Sequence, residues 1–182
     1  MAPPQRPAAA PGNSAKPRDA GVLVLLYPVR DTVCFVLTKR TDHLNKHKGQ
    51  VSFPGGGYED TDENVTVTAL REAREELGIA LDEVEILGAL TELWVPPSNF
   101  IIHPTVAFAP VQPVFQANPN EVAALIEAPV RVLLDPTNVG VERRALVSQN
   151  GAEQPVPYYL LGGHKVWGAT AMVLAEFAAL LG

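Results

Sequence analysis

Three glutamates, Glu72, Glu75 and Glu76, crowd the last two turns of the helical segment NVTVTALREAREELG at residues 64–78. Helix C-termini carry partial negative charge and favour cations. Glu72 and Glu76 also stand at i, i+4, a like-charge spacing that costs roughly 0.2–0.5 kcal/mol. A cation in front of that face would remove both conflicts. Three carboxylates on one face suit Mg2+ or Mn2+, which take oxygen ligands and keep several waters. With one cysteine and so no thiolate cluster, zinc is disfavoured. A hard cation there would bridge phosphate oxygens and acidify a bound water, so the chemistry is attack of water on a phosphoanhydride. A glutamate not fully engaged with metal can serve as general base. The competing reading is a solvated acidic face.

The elements around the glutamates must position them. At 100° per residue, Val65, Val67, Ala69, Leu70, Ala73 and Leu77 form a broad apolar arc, and the three glutamates form a separate one. Glu72 and Glu76 border the apolar side and should be partly sheltered. Gly78 stands where a helix stop is expected. Asp60 with Glu63, or Asp62 alone, would cap the start. Upstream, AGVLVLLYPV and TVCFVLTKR read as a hairpin. TDHLNKHKGQ reads as a loop, VSFPGGG as a short strand broken by Pro and three glycines, and YEDTDE as an acidic loop. Downstream, EVEILGALTELWV and NFIIHPTVAFAPV read as two strands joined by PPS. NEVAALIEA reads as a short helix, and VRVLLDP fits more than one element. ERRALVSQ and PVPYYLLG read as a hairpin with an NGAEQ turn, and GATAMVLAEFAALLG as a C-terminal helix. Hairpins among interleaved strands and helices imply an α+β fold with a mixed sheet covered by helices.

Composition narrows the class. The 182 residues fit one domain with a short extension. A net charge of −6 disfavours general nucleic-acid binding. Cys34 is the single cysteine, set in apolar TVCFVL, so a buried free thiol and a reducing compartment are expected. Residues 1–18 are rich in Pro and Ala, lack the apolar segment of a signal peptide, and read as a disordered arm preceding a domain at 19–182. No apolar run approaches the ~18 residues of a membrane span. A cytoplasmic site is the default expectation, and the sequence leaves a homodimer open.

The stretch from Gly57 to Ile79 resembles the Nudix box, G-x5-E-x7-R-E-U-x-E-E-x-G-U, where U is aliphatic. Gly57, Glu63, Arg71, Glu72, Glu75, Glu76 and Gly78 match in register, with Ala73 as a small residue at the first aliphatic place. The resemblance implies a Nudix-type α/β/α sandwich and a metal-dependent hydrolase of a nucleoside diphosphate linked to another group. It makes Glu72, Glu75 and Glu76 metal ligands, with one of them or a distal acid as base, and adds a main-chain carbonyl near Gly57. Glu63 would pair with Arg71 and hold the loop on the helix. The simpler readings are an i, i+4 pair of Arg71 with Glu75 and a dipole-favoured charge at Glu63.

A second element, VLTKRTDHLNKHKGQVSFPGG, is similar to the one that marks coenzyme A pyrophosphatases among Nudix proteins, L-L-T-x-R-[SA]-x3-R-x3-G-x3-F-P-G-G. Leu37, Thr38, Arg40, Gly49, Phe53, Pro54, Gly55 and Gly56 match. Thr41 stands where Ser or Ala is expected, and Asn45 where Arg is expected. Lys39, Arg40, Lys46, His47 and Lys48 are the densest basic cluster of the folded part and suit the phosphates of coenzyme A. Gly55 and Gly56 allow close backbone approach to phosphate. An exposed polar loop is the alternative.

Glu121 is similar to a family glutamate beyond the central strands and is a candidate base or further ligand; Glu92 is a weaker one. Trp167 and Gly168 resemble the Trp-Gly segment that opens the last helix of these pyrophosphatases. His43, His103 and His164 read as loop or packing residues. Trp94, Phe100, Tyr158 and Tyr159 are candidates for stacking on adenine. The implied reaction is hydrolysis of coenzyme A or a derivative to 3′,5′-ADP and 4′-phosphopantetheine. The rivals are another small nucleotide substrate (ADP-ribose, a dinucleotide or a nucleotide sugar) and a Nudix-fold module that binds without hydrolysing.

Overall fold

The structure is a computed structural model that describes residues 16–41, 49–145 and 153–182. Residues 1–15 of the expected arm lie outside that range. β1 (Arg18–Val29) starts one residue before the expected domain boundary and turns at Arg30, φ 53°, into β2 (Thr32–Arg40). The hairpin pairs only from Leu26–Phe35 to Val29–Thr32. Beyond that the strands part, and VSFPGGG fills the gap as two short strands. β3 (Val51–Ser52) pairs with β2, and β4 (Gly55–Gly57) pairs with β1. The glycines therefore continue the sheet where a break was expected. Gly55 has φ 157°, and a Cβ there would lie 2.4 Å from the Gly21 carbonyl oxygen.

β1 also runs parallel to β7 (Phe100–Phe108), which carries β5 (Glu85–Ala89) and β6 (Leu93–Val95) antiparallel on its far side. EVEILGALTELWV thus forms two strands where one was expected. The chain is diverted between them at Thr91, whose N–H and hydroxyl donate to Glu176 at 2.9 and 2.6 Å. β8 (Val122–Pro129) closes the sheet against β2. This corrects the helix expected for NEVAALIEA. Val122, Ile126 and Ala128 are all buried, at even spacing, which is one face of a strand. The free edge of β2 overrides the helix propensity of Ala and Glu.

VRVLLDP opens with a 3-10 turn, Val130–Leu133. A second sheet follows: β9 (Val139–Ala145), β10 (Glu153–Leu161) and β11 (His164–Trp167), all antiparallel. The expected hairpin is β9–β10; residues 146–152, with most of its turn, lie outside the described range. α1 (Val65–Leu77) and α2 (Gly168–Ala179) cover opposite faces of the main sheet. Leu23, Leu25, Tyr27 and Val36 pack with Ala69, Ala73 and Leu77 of α1. Val24, Phe35, Leu37 and Ile126 pack with Val173, Leu174 and Phe177 of α2. Both faces of β1 and β2 are buried, which is why their sequences run apolar without alternation. Cys34 is buried and free. Among the described residues no helix is long and apolar enough to cross a membrane.

Candidate active site

α1 is fixed at both ends. Asn64, and neither Asp60 nor Asp62, is its N-cap: the Asn64 side chain accepts from the Thr66 and Val67 N–H groups at 3.0 and 3.1 Å. Gly78 closes the C-terminus as expected, with φ 63° and its N–H donating to Arg74 O. The loop between β7 and β8 satisfies further carbonyls, with Gln116 N–H on Leu77 O at 2.7 Å and Asn118 N–H on Glu76 O at 2.9 Å. That loop delivers Glu121 to the glutamate face. Along its axis α1 lies directly on β1: a Cβ on Gly21 would sit 2.2 Å from Val65 O.

Arg71 ties the loop before α1 to the helix. It donates to Asp62 through Nε (3.0 Å) and Nη2 (3.1 Å), and to Gly57 O at 3.0 Å. The buried Asp62 also accepts from Thr68 Oγ1 and the Glu59 N–H. The Arg71 guanidinium holds the Asp62 carboxyl well below the usual carboxylate range. This corrects the expected Glu63–Arg71 pair. Glu63 is exposed, and its neighbour Asp62 points inward under Thr68 instead. Arg71 also reaches Glu72 at 2.9 Å and Glu75, its i, i+4 partner, at 3.5 Å.

The three glutamates differ in environment. Glu75 is exposed. Glu72 is largely buried against Gly56, where a Cβ would overlap its carboxylate at 2.4 Å. Burial raises the Glu72 carboxyl, against the pull of Arg71. Glu76 is only 2% exposed, and burial pushes it up to about 7 even though Arg40 opposes the shift. Arg40 Nη1 lies 3.3 Å from Glu76 Oε1, and Thr38 Oγ1 lies 3.4 Å from Oε2. The charges of Glu121 and Glu72 raise Glu76 further. Glu121 accepts from Asn118 Nδ2 at 3.3 Å, and its carbonyl receives the Thr41 N–H.

The donor set is all oxygen, and its most buried member carries a charge that one arginine does not offset. That chemistry fits a hard divalent cation. Among the described residues no three acids, His or Cys are already gathered around one point. Arg40 and Arg71 hold Glu76 and Glu72 as they stand.

The expected basic cluster divides. Thr38 and Arg40 point to the α1 face, so Lys39 points to the opposite one. There it lines a cavity with Arg144, Lys165 and Trp167. Lys46, His47 and Lys48, with His43 and Asn45, lie outside the described residues. Glu92 faces His103 at 3.8 Å, and His103 also meets Asp19 at 2.8 Å. Of the aromatic candidates, Tyr159 is buried, Trp94 donates to Asn99, Phe100 lies under Arg18, and Tyr158 lies under Lys165. Trp167 and Gly168 open α2 as expected.

Residues 17–147 match the model of the NUDIX domain, well over half of the chain. The chain belongs to the Nudix family. It is a Nudix hydrolase, an enzyme of the pyrophosphohydrolase class. It is 37% identical over 169 residues to the human protein named mitochondrial coenzyme A diphosphatase NUDT8, covering 92% of this chain and 70% of that one. It is 36% identical over 172 residues to the Nudix hydrolase NudL of Enterobacter sp. (strain 638), covering 91% and 83%. The fold is similar to the crystal structure of the M. smegmatis Nudix hydrolase RenU, with TM-score 0.54, 20% identity, and 65% and 74% of the two chains covered. It is also similar to the NUDIX domain of Shewanella oneidensis NrtR complexed with ADP ribose, with TM-score 0.53, 19% identity, and 70% and 82% covered. Nudix hydrolases generally use divalent metal ions.

Sequence reasoning missed Asp62 as the partner of Arg71, Thr38 and Arg40 as partners of Glu76, and Gly21 as the seat of α1. Gly21 carried a usable signal, since an isolated glycine inside an apolar strand marks close approach of another backbone.

Proposed function

We propose that this Nudix hydrolase cleaves the pyrophosphate of coenzyme A or a derivative, with Mg2+ or Mn2+, to 3′,5′-ADP and 4′-phosphopantetheine. The observation that carries the reading is the reach of Arg40 to Glu76. Arg40 belongs to the element similar to that of coenzyme A pyrophosphatases, and Glu76 to the hydrolytic helix. The 37% identity to a protein named coenzyme A diphosphatase supports the same substrate class.

Glu72, Glu75 and Glu76, with the nearby Gly57 carbonyl, would hold the metal. When bound, the metal neutralises charge on the diphosphate and makes a water more acidic. Arg40 then offers its fork to a phosphate oxygen. Glu121, oriented by Asn118, takes the proton of the attacking water; Glu75 and Glu76 are the other acids in reach of that role. Gly55 and Gly56 would let the β4 backbone approach phosphate, and Lys46, His47 and Lys48 of the same sequence element would add positive charge for binding it. Arg71 and Asp62 keep the loop on the helix. The same reading takes the enzyme as cytoplasmic, which the free buried Cys34 fits.

The test is a competition with product identification by mass spectrometry. Purified protein receives Mg2+ or Mn2+ and equal concentrations of coenzyme A, ADP-ribose and a diadenosine polyphosphate. Dominant 3′,5′-ADP and phosphopantetheine are expected. Dominant AMP and ribose 5-phosphate would keep the Nudix chemistry and overturn the substrate, with Asn45 as the departure responsible.

A further inference from the structure

A cavity of about 330 Å3 lies where the second sheet meets β3, and Lys39, Val51, Arg144, His164, Lys165 and Trp167 are among its walls. It is on the side of the main sheet away from α1, because Lys39 points opposite to Arg40. Its charge is built from separate parts of the chain. Lys39 comes from β2, Arg144 from β9 and Lys165 from β11. Glu142 pairs with both Arg144 and Lys165. Lys39 has no ion pair among the described residues, so among these, three cations face a single acid. That excess stands out in a chain of net charge −6. Arg144 lies over Trp167, its guanidinium carbon 4.3 Å from the ring centre.

The first turn of α2 adds to the field. Its N-cap is the wall residue Trp167, which gives no side-chain hydrogen bond, and Thr170 of that turn donates to the wall residue Val51 at 3.2 Å. An uncapped helix start carries partial positive charge. The volume falls at the small end of ligand pockets, roughly 300–1,000 Å3.

We propose that this cavity is an anion site that takes a phosphate monoester carried by a nucleotide-sized ligand, on the opposite face of the sheet from the glutamates. The phosphate is either one the substrate carries beyond its pyrophosphate or one on a free metabolite. The inference stands without the coenzyme A reading, since it requires no hydrolysis.

The test uses the full chain in EDTA, where uncompensated glutamates repel phosphate at the hydrolytic site. Adenosine 3′,5′-bisphosphate, inorganic phosphate and adenosine are titrated by calorimetry and by tryptophan fluorescence. Binding of the bisphosphate that weakens with salt is expected, with none by adenosine. Bisphosphate binding tighter than inorganic phosphate is expected, and equal affinity would overturn the nucleotide-sized ligand. Lys165→Gln and Arg144→Gln should each weaken binding about tenfold or more, the worth of one charge-assisted contact. Glu142→Gln should tighten it several-fold, a gain that damaged folding would not produce. No binding at millimolar bisphosphate, binding of adenosine equal to that of the bisphosphate, or unchanged affinity in Lys165→Gln and Glu142→Gln would overturn the proposal.

Discussion

Glu76→Gln should make the metal-free protein more stable while removing its activity. The folded carboxyl is raised to about 7 from an ordinary 4.5, chiefly by burial. Between those values the folded protein keeps a proton that the unfolded chain releases, so stability falls as pH rises. At about 1.4 kcal/mol per pH unit, the loss complete above pH 7 is about 3 kcal/mol. Glutamine is the neutral isostere and escapes that loss. Arg40, about a quarter exposed, can turn to water when its partner is neutral. For a chain of this size each kcal/mol moves Tm by roughly 2–4 °C, so at pH 8 in EDTA the variant should melt roughly 6–12 °C higher. At pH 4.5 the two proteins should melt together. Saturating Mg2+ or Mn2+ should reverse the order at pH 8, because ligand that binds only the folded state stabilises it and the variant has lost a ligand. Thermal melts across pH, with and without metal, give all three comparisons. Equal melting at pH 8 without metal, or a gap that does not close toward pH 4.5, would refute the reasoning. Surviving hydrolysis in the variant would refute the metal-site assignment itself.

Three further outcomes follow from the geometry. Asp62→Asn should lower Tm and activity together, whereas Glu63→Gln should leave both near wild type; paired melts and rates decide which acid serves Arg71. The Asp62 contribution is present above the ordinary carboxylate pKa, since its folded value is depressed, and is lost as pH falls through that lowered value. Gly21→Ala should destabilise by roughly 1–3 kcal/mol or more, because its Cβ would meet Val65 O at 2.2 Å and push α1 off the sheet; urea denaturation measures it. Arg40→Gln should raise KM more than it lowers kcat, and should push Glu76 still higher, moving the acidic limb of the pH–rate profile upward.

What the sequence made legible were features with local causes. The helix from Val65 to Leu77 follows from periodicity and its Gly78 stop, and the β1–β2 hairpin from two apolar runs around a turn. The glutamate face was legible because its charges oppose local stability. What was not legible depends on tertiary neighbours. VAALI is a strand because β2 has an open edge, and the three glycines stay in the sheet because β1 and β2 part to admit them. Asp62 and Glu63 are adjacent acids at the start of one helix. Only the direction of the chain under Thr68 decides which one turns inward.

The parting of β1 and β2 links these local facts to the chemistry. β4 inserts beside β1 and leads directly into the loop that Arg71 clamps, so α1 packs on both β1 and β4 with Glu72 against Gly56. The same split lets Thr38 and Arg40 of β2 reach beneath α1 to Glu76. Two segments distant in sequence, the end of β2 and the last turns of α1, therefore meet through the sheet. Burial of Glu76 at that junction is unfavourable for the metal-free fold. On the proposed metal reading the burial has a use, because a buried carboxylate with too little counter-charge would bind a divalent cation more strongly than a solvated one. The stability lost at Glu76 and the affinity gained for metal have one electrostatic origin. A substitution that relieves the first should weaken the second.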